Sequence, residues 1–181
     1  MKELALHILD IAQNSVRAKA KIIEINIWED ITVNLFKIEI KDDGIGMDEE
    51  TLKIVDNPFY TTRTTRKVGL GLSLLKAASI QSNGNFKIET KKNVGTTIIA
   101  TFQHNHIDRA PLGNIVDTLI TLFTLDENIN FIYNHYYNDK KFTLDTREIK
   151  KILNGVPIND IGVLNWLREY LDESLLKITK P

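Results

Sequence analysis

Two pairs of alternating apolar segments, each closed by a short turn and each preceded by a helical stretch, constrain this chain more than any other feature. Residues 22–29 put Ile23, Ile25 and Ile27 on one side, and residues 33–41 do the same with Phe36, Ile38 and Ile40. A period of two marks a strand with one buried face. Glu29, Asp30 and their neighbours turn the first pair, and Asn93-Val94-Gly95 turns the second, which spans 85–91 and 96–103. Residues 2–18 read as a helix with Leu4, Ala5, Ile8, Leu9, Ile11, Ala12 and Val16 on one arc. His7, Asp10, Gln13, Asn14 and Arg17 fall on the opposite arc. Asp48 starts a short helix to about Val55, with acids in its first turn. A helix over 70–82 ends at Asn83-Gly84, and 56–69, polar and holding Pro58, reads as a loop. Hairpins joined by short turns are antiparallel, so the expectation is a sheet with helices over one face.

Past His106 the pattern changes. An apolar helix runs from Pro111 and Gly113 to about Leu125, a hairpin turns at Asn138-Asp139, and helices follow over 146–153 and 160–176. We read this as a small C-terminal α+β unit, dividing the chain into 1–105 and 106–181. The stripes Val116, Leu119, Ile120, Phe123 and Ile161, Leu164, Leu167, Leu171, Leu175 serve either packing or a dimer or docking surface, with Trp166 and Tyr170 beside the second.

The bulk numbers exclude several classes. The 181 residues are 43% hydrophobic and 26% charged with a net charge of −1, a globular composition without general attraction to nucleic acid or anionic membrane. There is no cysteine, hence no disulfide or thiolate metal site. No apolar run reaches the roughly 18 residues of a membrane span, and the first 14 residues lack signal-peptide character. These features fit a cytoplasmic protein.

Four stretches carry chemistry. Asp10, Asn14 and Arg17 share one helix face, offering a carboxylate that can orient or deprotonate a hydroxyl, an amide oxygen suited to Mg²⁺ and a fork for phosphate; a solvated face is the plainer alternative. Asp42-Asp43-Gly44-Ile45-Gly46-Met47 follows a strand directly. Its glycines admit a flat ligand and an aspartate can accept from an exocyclic amine, although strand-to-helix turns use Asp and Gly anyway. Residues 58–67, Pro-Phe-Tyr-Thr-Thr-Arg-Thr-Thr-Arg-Lys, can close over phosphates or simply be a solvated basic loop. Gly69-Leu70-Gly71-Leu72 opens a helix whose free N–H groups favour an anion.

The order of these pieces resembles the GHKL ATPase superfamily, which includes sensor histidine kinases, gyrase B subunits, mismatch-repair ATPases and heat-shock chaperones. The resemblance spans residues 4–103. It implies a Bergerat-type sandwich with helices on one face of a mixed sheet, and binding of ATP with Mg²⁺. Within it, Asn14 corresponds to the Mg²⁺-binding Asn, Asp42 to the carboxylate that holds the adenine amine, and Thr96 in Gly95-Thr96 to the threonine lining the adenine site. Gly44, Gly46 and Met47 belong to the first glycine box, and Phe59, Thr62 and Arg63 to the kinase F box. Gly69, Leu70, Gly71 and Leu72 form the second glycine box, and Arg17 stands at a phosphate-contacting base. Asp10 would be the catalytic carboxylate, although relatives usually carry Glu or Asn there, and Lys67 replaces a glycine, which stiffens the lid or sets a cation by the γ-phosphate. No dimerisation and phosphoacceptor hairpin precedes these motifs in the sequence. The expected activity is therefore a protein kinase acting in trans on a His or Ser of a protein partner; the alternative is a nucleotide-gated switch with slow or no hydrolysis, and a homodimer is a further option. His7, on the Asp10 face, reads as structural. His106 to Gly113 resembles a stretch in small stand-alone bacterial proteins described as kinase-like ATP-binding proteins.

Overall fold

A computed structural model describes residues 2–56 and 70–180. In chain order the elements are α1 (Leu4–Arg17), β1 (Ile22–Asp30), β2 (Leu35–Asp42), α2 (Glu49–Asp56), α3 (Leu70–Gln81), β3 (Phe86–Lys91), β4 (Gly95–Gln103), α4 (Ile115–Phe123), β5 (Asn130–Tyr137), β6 (Lys140–Asp145), α5 (Thr146–Leu153) and α6 (Ile161–Thr179). Asn34, Asn93 and Asn138 turn the hairpins at φ between 50° and 61°, a left-handed conformation that Asn tolerates better than most residues.

All six strands form one sheet in the order β3-β4-β2-β1-β5-β6. The pairings are antiparallel except β1 with β5, which run parallel from Ile22↔Asn130 to Glu29↔Tyr137. The sheet does not end at the boundary drawn after residue 105: residues 106–181 add two strands to it. Ile23, Ile25, Ile27, Phe36, Ile38, Ile40, Ala100, Phe102, Phe131 and Tyr133 are all at most 1% exposed and face the helices, so one apolar layer runs under the whole sheet. The opposite face carries polar residues and an aromatic ladder, in which Trp28 and Tyr136 stack at 5.2 Å with Lys37 and Lys141 over their outer faces.

Three sequence expectations shift. α4 starts at Ile115, because Asn114 caps it through Asp117 N and Gly113 before it stands at a positive φ of +78°. α6 continues to Thr179, its Leu167 and Leu171 fully buried while Ile161, Trp166 and Tyr170 stay exposed. His7, placed on the polar arc by its periodicity, is 2% exposed with an unpartnered Nδ1, and burial lowers its pKa. No helix among the described residues is long and apolar enough to cross a membrane.

Glu29, at the end of β1, ties three segments together. Its carboxylate meets His135 Nε2 on β5 at 2.8 Å and His104 Nε2 after β4 at 3.4 Å, while Tyr133 OH lies 2.7 Å from His135 Nδ1. Burial alone would raise the Glu29 pKa, but the bonds from His135 and His104 outweigh it, and the net direction is below the ordinary 4.5. A carboxyl whose folded pKa is depressed adds stability above its unfolded pKa and loses it as pH falls through the folded value. Glu29→Gln should therefore cost about 2 kcal/mol at pH 7. Urea midpoints measured from pH 7 to 3 should show the gap between variant and wild type closing below about pH 4.5.

Candidate functional site

The helix α1, the loop after β2, the start of α3 and the β3–β4 hairpin meet at one end of the sheet. β2 delivers Asp42 to that end, paired with Ile23 on one side and Thr96 on the other. Both Asp42 oxygens are held: Oδ2 accepts from Ser15 Oγ at 2.5 Å and Oδ1 from Gly44 N at 2.9 Å. The carboxylate is thus fixed in one orientation, with lone pairs left for another donor. Its neighbour Asp43 is structural: Oδ1 accepts from Lys21 N and Ile22 N, at 2.7 and 2.9 Å, and closes the α1–β1 turn.

The glycines allow backbone to meet backbone. A Cβ on Gly46 (φ +62°) would overlap the Lys91 carbonyl, and one on Gly95 (φ +135°) the Asp42 carbonyl. Gly44 lies against Ala18 O, which accepts from Ile45 N at 2.9 Å. The loop is also pinned to the hairpin. Met47 N donates to Thr90 Oγ1 at 2.9 Å, and Thr90 Oγ1 lies 3.0 Å from Thr96 Oγ1. Met47 packs on the core. Asp48 Oδ1 then accepts from Thr51 N and starts α2 as expected.

Asp10, one turn before Asn14 on α1, abuts the start of α3: a Cβ on Gly71 would overlap its carboxylate. Leu72 is 6% exposed and joins the core. Asn14 Oδ1 accepts from Arg17 Nη1 at 3.0 Å, and this pair is exposed. The structure therefore brings together Asp10, Asn14, Arg17, Asp42, Gly44, Gly46, Met47, Gly71 and Thr96. Phe59, Thr62, Arg63, Lys67, Gly69 and the Leu70 side chain lie outside the described residues.

Sequence reasoning missed Ser15 and Thr90. Ser15 is 3% exposed and sits three residues after Ala12 and four after Ile11, on the buried arc; a buried hydroxyl there needs a partner, which was the available signal. Thr90 gave none, since its role follows from strand register. Two cavities, of about 510 and 250 Å³, share Glu3 and Asn114 in their linings, and neither touches Asp10, Asn14, Asp42 or Thr96.

The sequence model of the histidine kinase-, DNA gyrase B- and HSP90-like ATPases matches residues 2–106. The chain belongs to this family. It is 34% identical over 94 residues to the sensor histidine kinase YvrG of Bacillus subtilis, a stretch covering 50% of this chain and 16% of that kinase. It is 30% identical over 110 residues to the B. subtilis sensor histidine kinase YxdK, covering 56% of this chain and 33% of that one. The match therefore spans at most about a third of these two kinases' lengths. Among solved structures, the ATPase domain of Aquifex aeolicus MutL complexed with ADP aligns with 100% of this chain and 99% of its own at TM-score 0.51 and 13% identity. The N-terminal domain of a DNA repair protein aligns with 80% of this chain and 53% of its own at TM-score 0.54 and 18% identity. These two show the shared fold, a mixed sheet backed by helices, and the MutL likeness runs through the strands β5 and β6 as well.

Proposed function

We propose that this chain binds ATP with Mg²⁺ in the cleft between α1, α3 and the end of the sheet, and presents the γ-phosphoryl group to a His or Ser of a protein partner. The observation that carries the reading is the doubly held carboxylate of Asp42, aligned with Thr96 and backed by Ser15. A fixed acceptor with glycine backbone beside it suits the exocyclic amine and flat face of adenine. Support comes from the family, from the kinases among its relatives, and from the ADP-bound MutL domain of the same fold.

Each residue then has a task. Asp42 accepts from the adenine amine, while Gly44 and Gly46 let the base approach the backbone. Met47 and Thr96 line the base. α3 starts at Leu70 beside Asp10, and its first free N–H groups and the helix dipole favour the phosphates there, with Gly69, which lies outside the described residues, assigned to the same contact by the family resemblance. The family resemblance assigns Phe59, Thr62, Arg63 and Lys67, which lie outside the described residues, to contacts with the phosphate chain. Arg17 leaves Asn14 for a phosphate oxygen, a charged acceptor that binds a guanidinium more strongly than a neutral amide does. Asp10 orients or deprotonates the acceptor side chain of the partner.

The donor set fits Mg²⁺. Among the described residues no three His, Cys, Asp or Glu side chains gather to hold a metal. One exposed amide oxygen, Asn14 Oδ1, stands beside the cleft, which suits a small cation that keeps its waters and leans on substrate phosphates. When bound, Mg²⁺ supplies neutralisation of charge on the transferring phosphoryl group.

The test is ATP labelled at the γ-phosphate, incubated with the chain and proteins from its source cell. Label on a partner protein supports the kinase; release of free phosphate alone, or bound ATP without turnover, assigns a nucleotide-gated switch instead. Asn14→Ala should weaken nucleotide binding about tenfold, or ~1.4 kcal/mol, in the presence of Mg²⁺. Calorimetric titrations with Mg²⁺ and with chelator check this, since the two proteins should bind alike once the metal is removed.

A further inference from the structure

The stretch His104 to Asn114, with its Asp108-Arg109-Ala110-Pro111-Leu112-Gly113 core, plays no part in the nucleotide site described above, yet the fold builds it in from both ends. It leaves β4 and crosses to α4. Arg109 fastens its first half: Nε donates to His104 O at 2.5 Å and Nη1 to Ala110 O at 3.1 Å, while the guanidinium lies 4.9 Å from the ring centre of the fully buried Phe36. One side chain thus gathers the strap's backbone and presses it on the sheet. His104 is further tied to Glu29.

The second half caps α1. A helix leaves its first four N–H groups without intrahelical partners. In α1 the N-cap residue Glu3 makes no side-chain cap bond; Pro111 O accepts from Leu4 N at 2.9 Å and Leu112 O from Ala5 N at 2.8 Å. Glu3 instead turns to the other helix, where its Oε2 accepts from Asn114 N at 3.3 Å. Its carboxylate fills the space where a Cβ on Gly113 (φ +78°) would stand. Thr118 Oγ1 of α4 adds a bond to Ala5 O. The starts of α1 and α4 are therefore locked to one another through the strap.

α1 is a continuous helix of 14 residues, so whatever sets its N-terminus sets Asn14, about 15 Å further on at 1.5 Å per residue. Asp10, Asn14, Ser15 and Arg17 all ride on it. Ser15 on this helix also holds Asp42 at 2.5 Å, so a shift of α1 along its axis would move the hydroxyl away from that carboxylate. We propose that the strap His104–Asn114 is a positioning element of the nucleotide site, with Arg109 as its fastener. Releasing it lets α1 slide or tilt, which costs nucleotide affinity while the sheet and its helices stay folded. The proposal rests on the ATP reading of the site.

Wild type, Arg109→Ala and Arg109→Lys are titrated calorimetrically with Mg·ATP, and amide hydrogen exchange is followed by NMR with the urea midpoint as a control. Arg109→Ala should bind about tenfold more weakly, an ordinary size for coupling between separate regions, with faster exchange at Leu4 and Ala5. Arg109→Lys keeps a cation over Phe36 but not the fork, and should lose about threefold. If Arg109→Ala fails to fold, the lysine variant alone decides. Faster exchange at Leu4 and Ala5 with wild-type affinity overturns the proposal, leaving the strap a merely structural cap. So does unchanged exchange at Leu4 and Ala5 in Arg109→Ala, or in Arg109→Lys where the alanine variant does not fold, which would remove Arg109 as the fastener. Wild type that binds no nucleotide removes the ATP reading and this inference with it; wild type that binds as well as both variants removes the inference alone.

Discussion

Replacing Asp42 by alanine is expected to abolish measurable ATP binding in calorimetric titration while far-UV circular dichroism stays that of the wild type. Two things are lost together. The adenine amine loses its acceptor, and the donors that held the carboxylate, Ser15 Oγ and Gly44 N, are left facing the ligand. Ser15 is 3% exposed and its remaining contact is a long one, 3.4 Å to Ile11 O. A site built around a polar pair rejects its ligand strongly once one member is gone, because the unmatched groups cannot be resolvated. A loss of at least about a hundredfold, ~2.8 kcal/mol, is the expected scale. Inosine triphosphate offers the same experiment from the ligand side: a carbonyl replaces the amine, so wild type should bind it with a comparable loss. Unchanged ATP affinity in Asp42→Ala removes the carboxylate from the site and the proposed function with it.

The second large effect belongs to Gly95. Its φ of +135° is a conformation that L side chains rarely adopt, and a Cβ there would overlap the Asp42 carbonyl, backbone that cannot swing aside. Gly95→Ala should cost about 3 kcal/mol or more, a fall of roughly 6–12 °C in Tm for a chain of this size, read by differential scanning calorimetry. Gly155→Ala separates strain from collision. Gly155 also has positive φ, +98°, but a Cβ on it meets nothing within 4 Å, so its cost should stay near 1 kcal/mol. Equal effects in the two variants would mean that the close approach of the β3–β4 hairpin to Asp42 contributes nothing.

Local features were readable because each depends on neighbours in the chain. The period-two runs around Ile25 and Ile38 gave β1 and β2, and Asn93-Val94-Gly95 and Asn138-Asp139 gave two hairpin turns; the first turn, expected at Glu29 and Asp30, instead follows Asp30, because both residues still pair with β2. The apolar spacing after Gly69 gave α3 from Leu70. The grouping of Asp10 and Asn14 with Asp42, Gly95 and Thr96 followed from motif order. What escaped depends on contacts between distant segments. Nothing around Asn130 to Tyr137 announces that it runs parallel to β1, since parallel pairing is set by the crossover and not by a turn. His7 lies on a polar arc by spacing, and only the packing over α1 buries it. Glu29 looked like a turn acid until His104 and His135 arrived from far along the sequence. The strap cap on α1 was equally hidden, for its bonds run through the carbonyls of Pro111 and Leu112 rather than through side chains a reader can recognise.

The parallel ladder between β1 and β5 has a consequence for how this protein can be dissected. The segment that carries the family motifs stops short of β5, so a fragment trimmed to it would leave the Ile22–Glu29 backbone with a bare row of donors and acceptors beside a naked isoleucine layer. Such an edge invites strands from other molecules. The portion that contains the recognisable signature is thus not a detachable module; its partner strand, encoded well beyond it, shields it from self-stacking.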